Sequence, residues 1–333
     1  MNNDNNPIDY KRWSFLPEKD NGTQAISKSN NNEPEQEKKL IVNFKQLSAG
    51  KSYRSEALSL MRIDDVIVSK SSTMTDFKLT VEQTDPYNVV RIEISNTHVD
   101  NSVEELNQFN GLLYKIASVK NNLILKIDKL GSIIDVLNKQ ELREKWLEVK
   151  AELRSNRKFS MLKPEDQEKI FNGGDEEYLN NFDIVEFLNK GYTIYAMLFM
   201  GYWQEYNLKT TYPLSTKYKS STLFKDYIVP LEFEVKLKRY NAERNFSELE
   251  MQGIEPDSLD MNELRKRYQE SYPFAKVDLQ EYNYDCEINC DIENSSGLIR
   301  KMNATVFEKA GSIEMFMDCN IKELRDEESN ITE

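Results

Sequence analysis

Few residue types in this chain are equipped for chemistry. The 333 residues contain one histidine, His98. Catalytic triads and dyads and two-histidine metal sites all need imidazoles placed among partners, and a lone His98 in SNTHVD, read as a surface loop after a strand, supplies none of them. Cysteine is nearly as scarce, with Cys286, Cys290 and Cys319. Zinc would call for a CxxC knuckle and further ligands. Cys286 and Cys290 lie four apart in an alternating segment, roughly 13 Å from each other at about 3.3 Å per residue, too far for a disulfide. Their expected role is that of small apolar residues packed inside a sheet. The third candidate is a file of acids, Asp285, Glu287, Asp291 and Glu293, with the oxygen chemistry of a hard-cation site or a glycosidase pair. On the wet face of a sheet such acids hydrate, and bases such as Arg300 or Lys322 on neighbouring strands can neutralise them. No EF-hand spacing, GxxxxGK, GxSxG or HExxH occurs. The expectation is a non-catalytic protein with no cofactor and no metal, an enzyme ranking third behind two binding readings.

Aromatic residues are the more abundant resource, at 17 Tyr and 15 Phe. Tyr lines apolar pockets and anchors interfaces with its hydroxyl in water, and Met197, Met200, Met302, Met315 and Met317 would make such a lining adaptable. Tyr195, Tyr202 and Trp203 are therefore candidate ligand or partner residues. Trp13 and Phe15 join them, because with Tyr10 and Leu16 they form an apolar cluster in an otherwise polar arm, suited to docking in a groove.

The elements that must position these residues follow from period and composition. Residues 1–39, rich in Asn, Glu, Lys and Ser, bury too little apolar surface to offset the entropy of ordering and are expected to be disordered, as is the tail 326–333. Residues 40–325 are expected to form one α+β domain. Leu40–Phe44 reads as a short strand; Phe77, Leu79 and Val81 alternate with polar neighbours, and beyond the turn at Asp85–Asn88 so do Val90, Ile92 and Ile94, giving a hairpin. Val103, Leu106, Phe109, Leu113 and Ile116 have helical spacing, and LILKIDKLGSIIDVLN reads as a second hairpin.

A helical block is expected over about 139–190. Leu142, Trp146, Val149 and Leu153 mark its first helix, Pro164 to Asn172-Gly173-Gly174 a short second, and a third runs from near Asp175 to Asn189-Lys190-Gly191. The run Tyr192–Trp203, YTIYAMLFMGYW, is apolar throughout and reads as a buried strand after Gly191. An antiparallel sheet is expected over about 226–325, interrupted by a short helix within Pro256–Tyr268. Its end is a three-stranded meander: Tyr282, Tyr284, Cys286, Ile288, Cys290 and Ile292 share one face, and Met302, Ala304 and Val306 then Ile313, Met315, Met317, Cys319 and Ile321 continue the alternation after Gly-containing turns. The fold class is thus α+β, an antiparallel and strongly curved sheet with a central helical block on one face. In general plan it is similar to curved-sheet carriers that hold apolar ligands between a bent sheet and helices, with no motif carrying the likeness.

Charge narrows the partners. A net charge of -13 repels phosphate backbones, so nucleic acid is not expected. Nothing reaches the apolar length of a membrane span, the N-terminus lacks a signal peptide, and few, odd-numbered cysteines suit a reducing compartment, so the expected location is cytoplasmic. Two functions remain: a protein-binding adaptor, chaperone-like or immunity-type protein, and a carrier of an apolar small molecule in the curved sheet.

Overall fold

Strict alternation between dry and wet positions has one stable outcome, a strand whose alternate side chains leave water, and most of this molecule is built that way. The computed structural model describes residues 39–324 except 43–46, 84, 104–106, 108, 181–183, 192, 256–258 and 276–277. In chain order these form β1 (Lys39–Ile41), β2 (Leu47–Ile63), β3 (Val66–Gln83), β4 (Asn88–Asn101), α1 (Asn110–Ala117), β5 (Asn122–Ile127), β6 (Ile133–Val136), α2 (Lys139–Ser155), α3 (Arg157–Ser160), α4 (Pro164–Tyr178), α5 (Ile184–Lys190) and α6 (Ile194–Leu198). They continue with β7 (Glu205–Asn207), β8 (Thr211–Pro213), β9 (Lys217–Ser220), β10 (Ile228–Asn241), β11 (Phe246–Ile254), α7 (Met261–Ser271), β12 (Tyr282–Glu293), β13 (Ile299–Ala310) and β14 (Ile313–Glu323).

Twelve strands make one antiparallel sheet in the order β6-β5-β4-β3-β2-β14-β13-β12-β11-β10-β8, with β9 also paired to β10. The protein is α+β with sheet predominating. Among the described residues the strand path has two ends and does not close into a barrel. Each half of the sheet follows chain order, and the halves meet where β14 pairs with β2, from Ile313 opposite Ile63 to Glu323 opposite Tyr53. Lys51 adds a second tie there, its ammonium 3.2 Å from Glu293 and 3.0 Å from Glu323.

The dry face carries a continuous core. Tyr282, Tyr284, Cys286, Ile288, Cys290 and Ile292 of β12 are buried, as are Phe77, Leu79 and Val81 of β3 and Leu123, Leu125 and Ile127 of β5. A carboxylate sits among them. Glu308 of β13 is fully buried, its carboxylate accepting from the Thr222 amide at 2.6 Å, the Thr222 hydroxyl at 2.5 Å, the Tyr282 hydroxyl at 2.7 Å and the Ser221 hydroxyl. A buried carboxylate needs such donors, because desolvation without them would cost several kcal/mol.

Four expectations are corrected. The described residues of Tyr192–Trp203 contain no strand of the sheet: Thr193 accepts from the Ala196 amide and caps helix α6. A run that is apolar throughout offers no period to choose by, and the cap decides. The Asn172-Gly173-Gly174 stretch does not end α4, which runs on to Tyr178. Gly174 faces the Trp146 indole so closely that a β-carbon would lie 2.1 Å from the ring, so it serves helix packing rather than termination. The next helix consequently starts at Ile184, not near Asp175, and Leu179 follows the end of α4. His98 lies within β4 opposite Met74 and not in a loop.

The structure also extends the strands beyond the sequence reading, adding β2 and the part of β3 that precedes the Phe77–Val81 alternation. β2 has 17 residues and β3 has 18, turning at Asp64 and Asp65, both with positive φ as a tight hairpin turn requires. Among the described residues, no helix is long and apolar enough to cross a membrane.

Candidate functional site

Tyr195, Tyr202 and Trp203 are brought together in the interior. They are 5%, 0% and 2% exposed, within a segment whose Phe199, Met200 and Tyr206 are also buried. The Tyr195 hydroxyl donates to the Lys120 carbonyl at 3.0 Å, Trp203 meets Phe199 edge to face, and the Trp203 amide donates to the Leu130 carbonyl at 2.8 Å. Burial pushes the Tyr202 hydroxyl's pKa well up, within electrostatic reach of Cys290 on β12 and Tyr53 on β2. This segment is part of the buried core. Trp13 and Phe15 lie outside the described residues.

The three cysteines are free and buried. Burial raises the Cys286 thiol to about 12 and the Cys319 thiol to about 11, so neither supplies thiolate near neutrality. The acidic file divides. Asp285 and Glu287 are exposed, whereas Glu293 accepts from Lys51, Arg300 and Ser296. Partial burial raises the pKa of Glu293, but those hydrogen bonds and the Lys51 charge outweigh it and hold the carboxyl at about 2. Among the described residues, no three His, Cys, Asp or Glu side chains are grouped as a metal site would need.

The feature that stands out lies on the other face of the same strands. Register places Leu60 of β2 opposite Phe316 of β14, and Phe316 opposite Phe307 of β13. These alternate with buried Val306, Glu308 and Cys319, so they point away from the core, and all three are only half-buried. Leu58, one pleat along, extends the patch beside Asp318. Acids border it: Asp285 is opposite Phe307, Glu287 opposite Thr305, and Glu56 and Asp100 are exposed on β2 and β4. Lys70, opposite Leu60, is the base in that row. Asp318 accepts from Asn303 at 2.8 Å and from Asn320 at 3.5 Å, and burial raises its pKa despite them.

Where the sheet extends to the β2–β3 turn, Val66, Ile67 and Val68 are 63%, 36% and 45% exposed. The outer edge of β4 is covered there by side chains instead of a strand. β5 pairs only as far as Glu93, after which the Val99 amide donates to the Tyr114 hydroxyl, and Asn110 and Asn107 bond the Val99 and Asn101 carbonyls at 2.9 Å. This blunts strand addition along that part of the β4 edge.

Leu58, Leu60, Phe307 and Phe316 were not read as functional from sequence. The signal for two of them was present in Val306-Phe307 and Met315-Phe316-Met317, where consecutive apolar residues on a one-sided strand must place one in water.

Comparison with known proteins adds no identity. No family model matches the chain, and no curated protein matches it. Among solved structures, lipovitellin, described as "lipid-protein interactions in lipovitellin", aligns at a TM-score of 0.43 and 8% identity over 85% of this chain. The chain spans 26% of the length of that lipovitellin chain. The β domain of the Bordetella autotransporter BrkA aligns at a TM-score of 0.21 and 7% identity, over 83% of this chain and 99% of that one.

Proposed function

We propose that the protein is a non-catalytic binding module whose outer sheet face docks a partner protein with an apolar centre and a basic rim. The observation that carries this is the row Leu60–Phe316–Phe307, three apolar side chains aligned across adjacent strands on the face opposite a filled core. Half-buried aromatics at the centre of a polar rim are the composition of an interface anchor. The bordering acids and the net charge of -13 favour a basic partner and speed its encounter. In this reading the sheet is strongly curved, the helices over about 139–190 pack on its inner face, and the C-terminal three-stranded meander supplies half of the docking surface. A carrier of apolar ligands inside the sheet would need the space that residues 195–206 occupy.

The test compares the full chain with the L60D/F316D double variant as baits in native lysate. A stoichiometric partner held by the wild type, released by salt and missed by the variant supports the proposal; a partner that both baits retain equally contradicts it.

A further inference from the structure

A second, independent feature lies where β9 runs past α5 and α6. Successive side chains of a strand alternate, so Lys217 and Lys219 point to the same side, and they enter a recess of about 320 Å³ shared with Lys190, Glu186, Phe199 and Met200. That volume is at the lower end of the range for small-molecule sites. Lys219 is 4% exposed, an unusual position for an ammonium group. Its Nζ donates to the Asn189 carbonyl in the last turn of α5 at 3.0 Å, and the Lys217 ammonium donates to the Ser215 hydroxyl at 3.0 Å. Glu186 brings one carboxylate to the recess and is engaged by Lys190. Asp128 acts on Lys217 from outside it, and Cys286 of the sheet acts on Lys219. Three lysines against one glutamate give a local positive charge in a chain whose net charge is -13.

We propose that this recess binds a small organic anion, its carboxylate or phosphate held by Lys217 and Lys219 and its short apolar part resting on Phe199 and Met200. Burial lowers the Lys219 pKa to about 8, so the recess holds this ammonium at a cost that an anion would offset. By linkage, a bound anion raises that pKa, and occupancy therefore changes the proton affinity of one identifiable amine.

The experiment follows acetylation of Lys219 in the full chain by an N-hydroxysulfosuccinimide ester, read by peptide mass spectrometry from pH 7 to 10. Octanoate and inorganic phosphate are added in separate arms. At ten times its dissociation constant, octanoate is expected to slow acetylation of Lys219 roughly tenfold and move its pH midpoint upward. The exposed Lys139 and Lys169 should react at unchanged rates. Lys217→Met, in a less buried residue, should abolish the protection while leaving the circular dichroism spectrum unchanged, and wild-type protection alone tests the site should that variant misfold. Protection by phosphate with none by octanoate overturns the organic-anion assignment. Absence of protection by either anion overturns the site altogether.

Discussion

The interior segment Tyr195–Tyr206 and the outer row Leu60–Phe316–Phe307 are both rich in apolar and aromatic side chains, yet most of those in the first are buried and those in the second half-wet. The difference lies in what each is obliged to do. Residues 195–206 span a short helix, an irregular stretch and the start of β7, and most of their side chains join the core on the dry face of a large sheet. The outer row sits on strands whose buried face is already satisfied, and among the described residues its aromatics are left half-exposed. Residue type alone does not separate the two: Tyr195, Tyr202 and Trp203 are buried, whereas Phe307 and Phe316 on a satisfied strand are half-exposed.

Substitutions can test this division. Trp203→Ala should have the largest effect, a loss of about 3–5 kcal/mol in urea denaturation, because it leaves a cavity that the sheet cannot collapse to fill. If it were tolerated with a small loss, the interior segment would be a lid and not a core element. Glu308→Gln should cost about 2–3 kcal/mol in the same assay, since it weakens charge-assisted hydrogen bonds in a fully buried site and places an amide donor among donors.

Neighbouring glycines of α4 sharpen the distinction between packed and open surface. Gly173→Ala, with open space around the new methyl, should stabilise the protein by about 1 kcal/mol through helix propensity. Gly174→Ala gains the same propensity but drives a methyl into the Trp146 ring, and overpacking of about 1–3 kcal/mol should make it net destabilising by thermal melt.

On the outer row, L60D/F316D should change stability by no more than about 1 kcal/mol, the scale of cross-strand pairs, while lowering partner affinity at least tenfold by titration calorimetry. A large stability loss would show that the row belongs to the core after all. The last effect is read against pH, at Glu293. Its folded pKa, about 2, is below the ordinary carboxylate value, so its contribution is present above pH 4.5 and is lost as pH falls toward 2. Glu293→Gln should flatten the acid limb of stability against pH in that window.

How much of this was legible depends on contrast. Tyr282 to Glu293 could be read residue by residue because one face is dry and the other wet, and the observed strand buries the even positions from Tyr282 to Ile292. Leu47 to Ile63 could not, since Ala57 to Ile63 are half-buried on both faces and leave no period to detect. The lysine recess was invisible for a different reason: Lys217, Lys219 and Lys190 belong to elements joined only by the fold. The apolar pairs at Phe307 and Phe316 were legible in principle as breaks in the alternation, which asked for an explanation and was read only for its dry half.

The pairing of β14 with β2 also has a kinetic meaning. Arg62 waits for Glu314, 252 residues later in the chain. At about 5–20 residues per second of synthesis, roughly 13–50 s pass between the emergence of one strand and that of its neighbour. For that interval β2 is an edge, with Leu58, Leu60 and Met61 uncovered and its amides open to other chains. Long-range pairing of this kind is intrinsically slow to nucleate, and a nascent chain stalled before β14 would present a sticky ladder rather than a native surface.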